Sequence, residues 1–201
     1  MKIGFTFTNN LFHQIKLLCF VTTVFVLFSA GCESLPSQIE GPDNPLDPNN
    51  PNNKINGPAL VLSPTKVSVK NHGQFNLELW IVESESIAAM STRILFDPLQ
   101  FSVESVDSLQ TNSESFFLGN GGQLLWFATV NNDSGFIQID CAVVEGNPRE
   151  VEGLGVVSRI RFQHISGTNA GISFSSKSNL RNSTNAEINL NDLIGAEINI
   201  K

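Results

Sequence analysis

The chain has 201 residues, 41% of them hydrophobic and 15% charged, and its 12 Lys and Arg stand against 19 Asp and Glu for a formal charge of −7. Nucleic-acid binding needs clustered Lys and Arg against phosphate, so this balance argues against it. Length and composition suit one domain with a real core behind a differently composed leader.

Met1 to Lys16 carries Lys2 and Lys16 and no acid, and Leu17 to Ala30 follows as the nearly apolar run LLCFVTTVFVLFSA. That run is shorter than the roughly 18 residues of a membrane span, and its flanks fit a secretory signal peptide. Ser29-Ala30-Gly31-Cys32 resembles the bacterial lipobox. The resemblance implies that residues 1–31 are removed and that Cys32 is lipidated, placing the protein in the cell envelope, anchored to a membrane and facing periplasm or exterior. Removal of residues 1–31 leaves ten basic against nineteen acidic residues, a formal charge of −9.

Residues 32–57 are dominated by Pro36, Pro42, Pro45, Pro48 and Pro51 interleaved with Asn44, Asn49, Asn50, Asn52, Asn53 and Asn56. So little apolar surface does not offset the entropy of ordering, and the stretch reads as an extended tether. Its Asp43, Asn44, Asp47 and Asn49 suggest calcium ligands, but prolines stand where a calcium loop needs a glycine turn, and the spacer reading is preferred.

Residues 58–201 read as the folded domain. Ala59 to Leu62 and Lys66 to Lys70 are short strands around Ser63-Pro64, and Asn71-His72-Gly73 turns the chain into Phe75 to Glu83. There Phe75, Leu77, Leu79 and Ile81 form an apolar row, with Trp80 on the mixed face. In the next run Met90, Thr92, Ile94 and Phe96 share one face, and Ala89, Ser91, Arg93 and Leu95 the other, until Asp97-Pro98 ends it. Strands follow at Gln100 to Val106, Gln123 to Val130 and Phe136 to Val144, the last two joined through the turn Asn131 to Gly135. Gly155 to His164, Gly171 to Ser175 and Ile194 to Ile200 complete the chain, with Glu187 to Leu190 as a candidate short strand, and no stretch reads as helix. Nine to ten strands at this spacing predict an all-β fold of two packed antiparallel sheets, a jelly-roll sandwich.

ALVLSPTKVSVKNHGQFNLELWIVES, IAAMSTRILFDP followed by LQFSVESV, and GLGVVSRIRFQ, in this order, resemble a cohesin domain over Ala59 to Lys201. The resemblance implies a nine-stranded jelly roll related to several carbohydrate-binding modules. It also implies a non-catalytic module that holds dockerin-bearing proteins, often polysaccharide-degrading enzymes. In that family the strand before Asp-Pro carries an outward Asn and Asp, and the matching positions here are Ala89 and Ser91. Arg93, Gln138 and Asp140 are expected on the same outward face, giving a candidate partner surface of Ala89, Ser91, Arg93, Gln138 and Asp140. The bland alternative is a solvated face with an Arg93–Asp140 pair, contributing at most about 1 kcal/mol if exposed.

Chemistry beyond binding has little to stand on. His72 and His164 have no neighbour at a metal-ligand spacing, Cys141 shares a face with Ile137, Ile139 and Val143 and reads as a small buried hydrophobe, and no Gly-x-Ser-x-Gly elbow is present. Glu83 and Glu85, or Glu150 and Glu152, read as loop charge in preference to a glycosidase pair. No cofactor, metal or catalytic residue is expected. The competing function is carbohydrate binding, for which Trp80 and Trp126 are the candidate stacking platforms in a chain without tyrosine. A structural β-domain of a surface assembly is a third reading.

Overall fold

The computed structural model describes residues 55–109, 116–118, 123–145 and 149–201. The expected signal peptide, Cys32 and nearly all of the tether lie outside the described residues, as do residues 119–122 and 146–148.

Thirteen strands occur among the described residues, with one 3-10 turn, Phe116–Leu118, as their only helical element. The strands are β1 (Ala59–Ser63), β2 (Lys66–Val69), β3 (Gln74–Ile87), β4 (Ala89–Leu95), β5 (Phe101–Asp107), β6 (Gln123–Asn131) and β7 (Phe136–Glu145). They continue as β8 (Val151–His164), β9 (Ala170–Phe174), β10 (Asn179–Arg181), β11 (Glu187–Ile188), β12 (Asp192–Ile194) and β13 (Ala196–Ile200). A smaller sheet has the order β12-β1-β3-β8-β5. In the larger one β6, β7 and β4 lie side by side, and the far edge of β4 is shared by β10-β11 along its first half and β9-β13-β2 along its second.

The expected all-β sandwich is the observed fold, with two differences of detail. Both sheets are mixed, because β1 pairs in parallel with β12, and β2 in parallel with β13. There are also more strands than expected, because the run expected at Ile194 to Ile200 is split into β12 and β13 and because β10 is added. The chain changes sheets at two places. Ser63-Pro64 separates β1 from β2, and Gly195 separates β12 from β13, so one pair of neighbouring runs contributes to both sheets. Glu197 N–H donates to the Thr65 carbonyl across this double corner at 2.7 Å. A Cβ on Gly195 would press on the carbonyl oxygen of Ile172, which is why glycine stands there. The three-residue β10 has no periodicity long enough to read and was not expected.

The alternation read from the sequence sets the core. Phe75, Leu77, Leu79 and Ile81 of β3 and Ile160 and Phe162 of β8 face Met90 and Ile94 of β4 and Ile137 and Ile139 of β7, all buried. Phe162 is the hub of an aromatic set, stacked on Phe75 with ring centroids 5.3 Å apart and met edge-on by Phe96 at 5.7 Å. Thr92 interrupts the apolar row of β4 with a hydroxyl, which donates to Ser178 Oγ at 3.0 Å, so burial leaves it satisfied.

The Phe96-Asp97-Pro98 corner is held by its carboxylate. Asp97 accepts from the Gln100 side-chain amide and the Leu99 N–H, both at 2.9 Å, and these bonds, the Gln100 one foremost, hold its carboxyl below its ordinary 3.8. The motif is thus a built turn. It ends β4 and delivers the chain to β5 in the other sheet.

Candidate functional site

In an antiparallel pair, residues directly opposite share a face, so the pairing of β4, β7 and β6 defines an outer surface row by row. Ala89 stands opposite Ala142, Ser91 opposite Asp140 and Arg93 opposite Gln138. On the next strand Leu125 stands opposite Ala142, Phe127 opposite Asp140 and Thr129 opposite Gln138. The five residues singled out from the sequence therefore lie together on one face.

Four of them are joined. Ser91 Oγ donates to Asp140 Oδ1 at 2.6 Å, and the Gln138 amide donates to the same oxygen at 2.9 Å and to Ser91 Oγ at 3.2 Å. Arg93 Nε donates to Gln138 Oε1 at 3.0 Å, and its guanidinium lies 4.6 Å from the centroid of the Phe136 ring. The Arg93–Asp140 pair considered from the sequence does not form, because register puts Arg93 one row away from Asp140. Arg93 is instead held by an amide and an aromatic face, the latter a contact of about 0.5–1 kcal/mol at an exposed site. The result is a polar patch whose side chains are oriented before any partner arrives, which lowers the ordering cost of association.

Beside the patch, Leu125 and Phe127 are 48% and 64% exposed. Sequence reading assigned no face to β6 and missed both. The signal was available: closing the Asn131 to Gly135 turn against the known inward face of Ile137, Ile139 and Cys141 carries the register onto β6. It puts Leu125 and Phe127 outward and Trp126 inward.

The two tryptophans lie elsewhere. Trp126 is opposite Cys141 on the inward side, partly buried against the core. Trp80 is on the outer face of the smaller sheet, half-buried beside Ala59, Val61 and Val82, and its indole N–H donates to Glu78 Oε2 at 3.0 Å. Glu78 in turn pairs with Arg159 at 2.8 Å. Neither indole stands clear of its surroundings as Phe127 does.

Three further titratable groups are engaged structurally. Cys141 is buried, and burial pushes its thiol well above the usual range, so thiolate chemistry is suppressed. His164 is wholly buried and accepts the His72 N–H on Nδ1 at 3.2 Å. Glu150 accepts from the N–H and hydroxyl of Ser183, which hold its carboxyl low and tie the turn after β10 to the start of β8. Among the described residues no three His, Cys, Asp or Glu stand together as metal ligands.

No family model and no curated protein matches the chain. Solved structures do, cohesins among them. A type II cohesin domain from the cellulosome of Acetivibrio cellulolyticus superposes with a TM-score of 0.55 at 17% identity, over 70% of this chain and 93% of that one. The cohesin–dockerin complex Coh-OlpA-Doc918, described as a novel type I complex from Clostridium thermocellum, gives 0.55 at 12% identity, over 71% and 98%. A non-cellulosomal cohesin from the archaeon Archaeoglobus fulgidus gives 0.53 at 11% identity, over 71% and 90%. The fold is cohesin-like.

Proposed function

On this cohesin-like fold we propose that the chain is a non-catalytic protein-binding module which presents the outer face of β4, β7 and β6 to a protein partner. The observation that carries the reading is the pre-oriented Ser91–Asp140–Gln138–Arg93 network lying beside exposed Phe127 and Leu125. Polar anchors next to solvent-exposed apolar side chains are the make-up of a protein interface. A dockerin-bearing partner, and through it a link to polysaccharide degradation, is supported by the cohesin–dockerin complex and the cellulosomal cohesin among the similar structures. Ala89 and Ser91 stand where the family pattern has Asn and Asp, so the surface selects a partner of different side-chain complement. The carbohydrate alternative rests on Trp80, whose indole N–H is already bonded to Glu78.

The test is capture by the immobilised full chain from proteins exported by the same cell. Ala89→Asp and Ser91→Lys each set a charged side chain in the face, and Ser91→Lys also breaks the Ser91–Asp140 bond. Covering the added charge with the captured protein is expected to cost about 100-fold or more in Kd. Both variants are expected to lose the captured protein while Trp80→Ala keeps it. Retention of a polysaccharide that is lost on Trp80→Ala transfers the function to sugar binding. Capture indifferent to all three substitutions rejects the mapped surface.

The module is placed, in this reading, at the end of the Pro/Asn-rich tether on a lipid-anchored Cys32, in the cell envelope. An acyl chain contributes roughly 0.8 kcal/mol per buried CH₂, enough in a multi-chain anchor for stable attachment. Cys32→Ser should move the protein from the membrane to the soluble fraction or leave it unprocessed. A variant that is processed and sediments with membranes as before removes the anchor.

A further inference from the structure

A β-sheet edge exposes unpaired N–H and C=O groups, and proteins that must avoid pairing through such edges shorten them, bulge them or set charges on them. Among the described residues five strands form edges, and four are guarded. β2 has four residues, including Lys66; β11 has two, one of them Glu187; β12 has three, including Asp192. β5 carries Glu104 and Asp107 and a register break between Val103 and Ser105. The fifth, β6, is different. It is nine residues long, QLLWFATVN, without a charge or a proline, and its pairing with β7 runs unbroken from Leu124 to Asn131. Among the described residues β7 is its one strand partner. Three of the large exposed hydrophobic side chains, Leu125, Phe127 and Val130, lie on this strand.

We propose that β6 is the interface through which two copies of this chain join edge to edge, antiparallel about a two-fold axis at Phe127, into one continuous sheet. The sequence of the strand is its own complement in that register. Phe127 meets Phe127 of the second copy, Leu125 meets Thr129, and on the inward side the large Trp126 meets the small Ala128. Every residue of the strand is then paired. Moving the axis one residue toward the N-terminus sets Trp126 against its own copy on the inward side and runs Val130 and Asn131 past the end of the strand. A one-residue slip in pairing, without moving both copies symmetrically, turns inward residues outward.

Charge does not bar a second copy at this strand. A chain with a formal charge of −7 meets its own kind most easily where no charge lies at the seam. The acidic group in the Phe127 row is Asp140, one strand in from the edge on each copy. Two such groups stand three strand spacings apart, about 14 Å, which exceeds the Debye length of about 8 Å at physiological ionic strength. The joined sheets put two copies of the Ser91–Asp140–Gln138–Arg93 patch on one surface, so the dimer offers its partner two adjacent sites.

The experiment uses the full chain with Cys19→Ser and Cys32→Ser, followed by sedimentation velocity across the micromolar range. A dimer is expected, and Phe127→Lys, which sets a charge against its own copy, should return it to monomer. Because Phe127 is 64% exposed, that variant should melt close to the parent. Under mild oxidation Phe127→Cys alone should give a disulfide-linked dimer, as should Leu125→Cys combined with Thr129→Cys, whereas Leu125→Cys alone should not. Ala89→Asp and Ser91→Lys, two strands away, should leave the dimer intact, which separates this result from partner capture. A chain monomeric throughout overturns the proposal, as does a dimer indifferent to Phe127→Lys or one cross-linked by Leu125→Cys alone. A monomer that loses captured protein on Phe127→Lys also overturns it and assigns the edge to that protein.

Discussion

Phe162→Ala is expected to lower stability by about 3–5 kcal/mol, as truncation of a fully buried phenylalanine does. Phe162 has no exposed surface and is held among rings, stacked on Phe75 of its own sheet at 5.3 Å and met edge-on at 5.7 Å by Phe96, the residue after β4. Each aromatic pair adds roughly 0.5–1.5 kcal/mol beyond the area it buries, so the loss should fall at the upper end of the range. Against the 5–15 kcal/mol of an ordinary domain this is a third or more of the total. Arg161, the residue before it, is exposed on the opposite side of β8, and Arg161→Ala should stay within about 0.5 kcal/mol. Chemical denaturation of the two variants checks the register of β8. Equal, small effects would mean that the inward row has been set one residue out of place.

The second large effect is expected at Gly135→Ala. Gly135 closes the hairpin between β6 and β7 with φ of 68°, in the left-handed region. A Cβ there would press on the Phe96 carbonyl oxygen and lie 2.7 Å from Pro98 Cδ. The Gly135 carbonyl also accepts the Phe96 N–H at 2.9 Å, so relief of the clash would break the link between the hairpin and the end of β4. Strained backbone alone costs about 1–3 kcal/mol, and displacement of main chain adds to it, giving an expected loss of about 3 kcal/mol. Gly153→Ala is the control. Its φ is 98° but nothing lies within 4 Å of the added Cβ, so that variant bears the strain without the clash. If the two variants melt alike, the close approach at Gly135 does not matter. If Gly135→Ala behaves as expected, it should also loosen the Arg93–Gln138 and Ser91–Asp140 rows, since the hairpin lays β7 against β4.

Most of the fold was legible because strand alternation is a local signal. A residue's side of the sheet follows from its position in the run, and burial of Phe75, Leu77, Leu79 and Ile81, or of Met90, Thr92, Ile94 and Phe96, matches that parity. Turn chemistry was equally local: Asp97-Pro98 and Asn131 to Gly135 end and reverse strands through their own side chains and backbone. The same parity placed Ser91, Arg93, Gln138 and Asp140 on one face before any pairing was known. What alternation does not carry is the partner of each strand. The parallel pairings of β1 with β12 and of β2 with β13 join residues more than a hundred positions apart, and the corners at Pro64 and Gly195 that permit them have no periodic signature. Likewise Arg93 is drawn to Gln138 and Phe136, and Phe127 is placed on an edge strand among the described residues, by register and by sheet order. Those properties arise when distant segments pack, because which strand ends at an edge depends on every other strand having found its neighbour.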